Sequence, residues 1–294
     1  MDPGSRQHKI VVGFDGGSES RDALHLGKAL AQMLNADMVI ACALGPDVEF
    51  DTWAAAHFAR VFEEARREVP DRDFTVRGLR DVSAPAGLSD VAAEEQADMI
   101  VIGSTHRGRL GRRFPGGVGE RLLSRTPCPV AVAPSGFADH GHFGLGVIGV
   151  AVDGSMESAA ALQLAGDLAQ RLDARLRVIT IVPASPDDDF VHRTILRDRG
   201  TEIQSVALAG FPASQQVEAA LEEGQPAPGL ARHGVDLDLL VIGSRGHGPL
   251  GRMLVGGVSA EVMWSAPCPV LVVPAAAIGG MALSGSRLAA EVRG

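Results

Sequence analysis

The sequence predicts an α/β chain of two tandem doubly wound domains, each a five-stranded parallel sheet of order 3-2-1-4-5 with helices on both faces. Three observations carry this: an internal repeat, strands that are almost wholly apolar, and amphipathic helix patterns between them. VVGFDGGSES at Val11–Ser20 returns as GVAVDGSMES at Gly149–Ser158, and MIVIGSTHRGRLGRRFPGGV at Met99–Val118 returns as LLVIGSRGHGPLGRMLVGGV at Leu239–Val258. TPCPVAVAP returns as APCPVLVVP. The offset is 138 residues from Asp15 to Asp153, and 140 both from Gly103 to Gly243 and from Cys128 to Cys268. The copies are expected at 8–135 and 147–275, with a linker at 136–146 and a tail at 276–294.

In the first copy, Lys9–Phe14 reads as a short buried strand, and Ser18 is placed to cap the helix after it. Ala23, Leu26, Gly27, Leu30, Met33 and Leu34 keep helical spacing. Met38–Ala43 is the second strand; an amphipathic helix follows at about Asp51–Val69, then a weak strand at Phe74–Gly78 and a helix near Ala86–Gln96. Met99–Ile102 is the strongest strand signal, and a helix near Gly119–Ser124 leads to the last strand, Val130–Ala133. The second copy repeats this order, with Ala161, Leu164, Ala165, Leu168 and Leu172 as the stripe of its first helix. Its second helix reads as shorter, about Asp188–Arg197. Apolar strands joined by helical crossovers of one hand give a parallel sheet covered on both faces.

Composition narrows the function classes. With 46% hydrophobic and 21% charged residues, the 294-residue chain can bury a core. Lys and Arg total 27 against 36 Asp and Glu, a net charge of −9, which argues against a nucleic-acid partner and against an anionic membrane surface. Three cysteines, none in a metal-ligand spacing, make no disulfide framework and fit a reducing cytoplasm. MDPGSRQHK has no apolar run, so no targeting peptide is expected. The stretch between Glu261 and Arg287 has no charge, but Pro267, Pro269 and Pro274 interrupt it, and it reads as a strand and a tail.

Ligands in doubly wound sheets bind past the carboxyl ends of the strands, where strand order reverses. Asp15 and Asp153 end the first strand of each copy; Gly103 and Gly243 end the fourth. Gly243, Gly246, Gly248, Gly251, Gly256 and Gly257 then fall between that strand and a helix starting near Val258, the arrangement that aims backbone N–H groups at a phosphate.

GSRGHGPLGRMLVGG, with two residues between Gly243 and Gly246 and nine between Gly246 and Gly256, resembles the G-2x-G-9x-G-[S/T] nucleotide-binding signature of the universal stress protein family. DLLVIGS before it, APCPV after it and the early aspartate of VAVDGS also resemble that family, and the likeness runs from about Lys9 to Val273 as a tandem. The resemblance implies an adenine nucleotide, ATP first among them, with Mg²⁺ as a companion held by phosphate and water oxygens. It implies Ala151, Asp153, the backbone of Ile181, Gly243, Gly246, Gly256, Gly257 and Val258 for the second site. For the first site it implies Gly13, Asp15, the backbone of Ala43, Gly103, Gly116, Gly117 and Val118. It also implies last strands used for dimer contacts, hence an intramolecular pairing of the two domains, with a homodimer left open. Two departures stand out. The closing Ser/Thr of the signature is Gly117 and Gly257 here, and His106 replaces the second glycine in the first copy, with Arg107, Arg109, Arg112 and Arg113 nearby.

Other residues read as ordinary structure. His140 and His142 form an HxH without a third ligand, and Cys42, Cys128 and Cys268 read as buried thiols, so no metal site on protein side chains is expected. No catalytic residue is assigned, because no nucleophile, general base or HxGH motif falls into place. The expected function is a cytoplasmic, non-catalytic ATP-binding regulator of the stress response, its regulatory protein partner unspecified. Two alternatives remain: a partner-binding module that has lost nucleotide binding, which Gly117 and Gly257 favour, and a slow ATPase or ATP-dependent enzyme.

Overall fold

A computed structural model describes residues 8–43, 53–79, 83–104, 118–140, 143–185, 189–212, 214–244 and 257–277. The chain divides into two units between Phe143 and Gly144. The first contains β1 (Lys9–Gly13), α1 (Ser18–Met33), β2 (Asp37–Ala43), α2 (Trp53–Glu68), β3 (Phe74–Leu79), α3 (Ala84–Glu94), β4 (Met99–Gly103), α4 (Val118–Leu123) and β5 (Val130–Ala133). The second contains β6 (Val147–Ala151), α5 (Met156–Arg171), β7 (Arg175–Pro183), α6 (Phe190–Ala209), β8 (Val217–Gly224), α7 (Pro226–His233), β9 (Leu239–Gly243), α8 (Gly257–Ser265) and β10 (Val270–Val273).

Within the first unit the strand order is β3-β2-β1-β4-β5, and within the second it is β8-β7-β6-β9-β10. The printed ladders in each are parallel, with Val11 facing Val39 and Ile100 on its two sides, and Gly149 facing Arg177 and Leu240. Both units therefore have the predicted doubly wound order. Central strands are buried on both faces, which is why β4 and β9 read as unbroken apolar runs: Ile100, Val101, Leu240 and Val241 are fully buried. Helix α1 lays Ala23, Leu24, Leu26 and Leu30 on the sheet, and α5 does the same with Ala161, Ala165 and Leu168. Asn35 and Asp173, 138 residues apart, leave their helices in the left-handed conformation that such short polar side chains tolerate.

Two local expectations change. Ser18 is the first residue of α1 and not its cap; the cap is Gly17, which offers no side-chain acceptor. In the second unit Ser155 does cap α5, its Oγ accepting from the N–H of Ser158 at 3.1 Å. Helix α6 is longer than α2, with 20 residues against 16, so Gly200 does not end it. That glycine lies mid-helix because a Cβ there would come within 2.5 Å of Val182 Cγ2 and 3.1 Å of Leu221 Cδ1: it lets α6 settle directly on β7 and β8. Close packing outweighs the roughly 1 kcal/mol that glycine costs in a helix.

Polar ties fix the first unit's periphery. Glu95 accepts from Lys9 Nζ and from Arg77 Nε, each at 2.7 Å, and these hydrogen bonds hold its carboxyl below the usual range. Buried Asp22 on α1 accepts from the N–H groups of Gly136 and Ala138 at 2.9 and 2.8 Å. The chain just past β5 is thereby docked on α1, so the start of the expected linker belongs structurally to the first unit.

Candidate functional site

The strand order of the second unit reverses between β6 and β9, and a cleft of about 420 Å³ lies there, within the usual range for small-molecule sites. Its floor is made by the strand ends: Ala151, Val152 and Asp153 after β6, Ile179 to Pro183 on β7, and Ile242 and Gly243 on β9. One wall is α6, through Leu196, Arg199, Gly200 and Ile203; another comes from α7, through Pro226 and Leu230. Gly257, Val258 and Ser259, the first turn of α8, close the remaining side. Most of this lining is apolar, which suits a flat ring, while Asp153, Ser158, Thr180, Arg199 and Ser259 are its polar points.

Asp153 is held by its own turn. Its Oδ1 accepts from Ser155 N at 3.0 Å and from Ser155 Oγ at 2.5 Å, and Gly154 between them has φ +81°. This is the short-range hydrogen bond that aspartate favours in turns, and it fixes the carboxylate at the mouth of the cleft. Ile181 is placed by strand alternation. Val152 N donates to Ile179 O at 2.9 Å just past the end of β6, so Ile181, two residues on, turns its N–H and C=O to the same side. An extended backbone donor and acceptor there match the edge of a heterocyclic base.

Gly243 has a structural reason that the sequence did not reveal. A Cβ on it would lie 2.8 Å from the carbonyl carbon of Glu157, so the first turn of α5 crosses directly over the end of β9. Gly103 repeats this against α1, with Glu19 O only 1.8 Å from where a Cβ would stand. These glycines are required by helix-on-strand contact, whatever the cleft holds. Gly257 differs: among the described residues nothing lies within 4 Å of its Cβ position, and it begins α8 beside the cleft. Gly246 and Gly256 lie outside the described residues.

In the first unit, Gly13, Asp15, the backbone of Ala43 and Gly103 lie at the carboxyl ends of β1, β2 and β4, and Val118 begins α4. Asp15 Oδ1 accepts from Gly17 N at 2.9 Å and from Ser20 Oγ at 2.7 Å, and Gly16 has φ +84°, so the aspartate turn recurs. Gly116, Gly117, His106 and the arginines Arg107, Arg109, Arg112 and Arg113 lie outside the described residues. His140 Nδ1 is 2.8 Å from Gly136 O, and His142 also lies outside the described residues. Among the described residues no three His, Cys, Asp or Glu side chains are grouped to hold a metal ion. All three cysteines are buried; burial pushes the thiols of Cys42 and Cys128 up to about 11 and that of Cys268 up to about 12.

Sequence reasoning missed the contribution of α6 and of Thr180. Thr180 is 3% exposed, lines the cleft, and its Oγ1 has no hydrogen-bond partner among the described residues. Its counterpart in the first copy is Cys42, at the same 138-residue offset as the aspartates. A buried hydroxyl without a partner is costly, and a methyl of the same size removes that cost. Thr180→Val is therefore expected to stabilise the chain by about 1 kcal/mol, read from urea unfolding without ligand. A lower unfolding midpoint than the parent would contradict this account of the site.

A doubly wound α/β unit with a ligand-sized cleft at its switch point defines the class. The model of the universal stress protein family matches residues 7–134 and again residues 145–274, and the chain belongs to this family as a tandem of two domains. It is 30% identical over 299 residues to a universal stress protein of Mycobacterium tuberculosis, covering 91% of this chain and 97% of that one. It is 28% identical over 298 residues to one from Mycolicibacterium smegmatis, covering 91% and 97%. The solved structure of a universal stress protein from Archaeoglobus fulgidus aligns with a TM-score of 0.61 at 18% identity, covering 91% of this chain and 98% of that one. A putative universal stress protein from Pseudomonas aeruginosa aligns with a TM-score of 0.62 at 19% identity, covering 95% and 98%. At these identities the solved structures speak for the fold alone. No helix among the described residues is long and apolar enough to cross a membrane.

Proposed function

We propose that this universal stress protein is a cytoplasmic, non-catalytic regulator that binds an adenine nucleotide, ATP first among them, in the cleft of its second domain. The observation that carries the proposal is the cleft at the β6/β9 switch point, with apolar walls for a ring, Asp153 at its mouth and the first turn of α8 along one side. In this reading the backbone of Ile181 takes the polar edge of adenine and the apolar side chains of Ile181, Leu196 and Ile203 enclose the base. Asp153 takes ribose hydroxyls. The N–H groups at the start of α8 face the phosphates, where the helix dipole favours negative charge, and Gly243, Gly246 and Gly256 are the signature glycines assigned to the same end of the ligand.

A Mg²⁺ ion would be carried by phosphate and water oxygens, as is usual for this ion. Among the described residues that line the cleft, none is set up as a nucleophile with a base beside it, and turnover is expected to stay well below about 1 s⁻¹, the lower end of ordinary enzymes.

The test is calorimetric titration of the full chain with ATP, comparing Asp153→Ala with Asp15→Ala. The Asp153 change is expected to weaken binding about tenfold or more, in line with loss of a charged hydrogen-bond acceptor, and the Asp15 change to leave it nearly as it was. A larger loss from the Asp15 change would move the site to the first domain. Absence of ATP binding by the unaltered chain would overturn the proposal.

A further inference from the structure

The two domains differ at one side-chain pair that decides whether the helix beside the cleft presents a free positive charge. Gly16 and Gly154 occupy the same turn in the two copies, and each reports what the neighbouring helix brings to it. Beside Gly16 stand Glu64 and Arg60 of α2: a Cβ on the glycine would lie 2.6 Å from Glu64 Oε2 and 3.5 Å from Arg60 Nη1. Beside Gly154 stands Ile203 of α6, with Cδ1 and Cγ1 each at 3.2 Å. Glu64 and Ile203 are therefore structural counterparts. Four residues before each is an arginine, Arg60 in one and Arg199 in the other.

In the first domain the arginine is neutralised on its own helix, Arg60 Nη1 lying 2.7 Å from Glu64 Oε1. In the second domain isoleucine replaces the carboxylate, and Arg199 has no ion-pair partner among the described residues. It is exposed and lines the cleft, between Leu196 and Ile203 on the same helix face. A guanidinium is always charged, presents several donors in a fixed plane, and is only weakly hydrated, so it takes phosphate readily once no carboxylate competes for it.

We infer that Arg199 is a ligand-binding residue of the second cleft that selects for an anionic group, and that the Ile203-for-Glu64 exchange is what frees it to do so. This rests on the nucleotide-binding proposal above and adds a charge requirement that none of the glycine positions supplies. It also gives the two domains unequal affinity for an anionic ligand. An arginine already paired with Glu64 gains little from a phosphate, and the Glu64 carboxylate beside the turn repels one.

The experiment titrates the full chain with ATP and with adenosine, which shares the base and ribose but carries no charge. Arg199→Gln and Ile203→Glu are compared with the unaltered chain, each checked for an unchanged thermal midpoint; Arg199 is exposed, so its replacement leaves the core alone. Arg199→Gln is expected to lose ATP affinity about tenfold or more, the size of a charge-assisted hydrogen bond, while its adenosine affinity stays within about twofold; Ile203→Glu, which also borders the base, is expected to lose more ATP affinity than adenosine affinity. If Arg199→Gln binds ATP as tightly as the unaltered chain, or loses ATP and adenosine equally, the inference is wrong and the nucleotide-binding proposal stands. If the unaltered chain binds neither compound, both fall together.

Discussion

Replacing Gly103 by alanine is expected to destabilise the first domain by about 3 kcal/mol or more, the upper range for overpacking a rigid contact. The cause is backbone against backbone. An alanine Cβ would stand 1.8 Å from Glu19 O and 2.4 Å from Glu19 C, so no rotamer change relieves the clash and the start of α1 must lift off β4. Helix α1 carries Leu24, Leu26 and Leu30 into the core and Asp22 to the segment after β5, so lifting it loosens both. The corresponding Gly243→Ala change is expected to cost less, since its nearest contacts are at 2.8 Å. Urea unfolding of the full chain reads both, with the transition of the altered domain moving to lower denaturant. An unshifted Gly103→Ala transition would mean that α1 does not cross β4 as closely as described.

That pair of glycines also shows what the sequence made legible and what it hid. Strand order was readable because the repeat and the apolar strands are properties of the chain itself, and the parallel sheet follows from them with few alternatives. The positions of Asp15, Asp153, Gly103 and Gly243 at strand ends were readable for the same reason. The cause of the glycines was not. A motif of small residues after a strand looks the same whether it clears room for a phosphate or for the next helix, and here the approach of Glu19 and Glu157 already demands Gly103 and Gly243.

Helix α6 was hidden for a related reason. Gly200 looks like a terminator when only local preference is considered, and its role in seating the helix on Val182 and Leu221 needs the partner strands in view. A helix that stops at Arg197 leaves out Arg199, Gly200 and Ile203, and with them most of the cleft wall that α6 forms. The exchange of Glu64 for Ile203 could still have been found by aligning the two copies helix by helix, because the arginines four residues earlier mark the register. Thr180 gave no such signal: a threonine in a strand is an ordinary strand former, and only its burial without a partner sets it apart.

Gly257→Asp separates the fold from the proposed function by moving them in opposite directions. Gly257 is the first residue of α8, its φ is not in the left-handed region, and no described residue comes within 4 Å of its Cβ position, so none of them obstructs a side chain there. An aspartate in the first turn of a helix interacts favourably with the helix dipole, which stabilises by about 0.3–1 kcal/mol. Thermal or urea unfolding without ligand should therefore show a midpoint equal to or above that of the unaltered chain. The same carboxylate would stand where the proposal puts the phosphates. Like charges about 4 Å apart repel by a few kcal/mol near a protein surface, so ATP affinity should fall about 100-fold, equivalent to about 2.7 kcal/mol, with adenosine much less affected. Gly257→Ala serves as the neutral companion and should change neither property by much, because it adds one methyl group with no described residue within 4 Å of it, and no charge. Retained ATP affinity in Gly257→Asp, with stability unchanged, would remove the phosphates from the start of α8 and with them the proposed orientation of the ligand. A loss of affinity accompanied by a lower unfolding midpoint would trace the effect to α8 itself and not to charge.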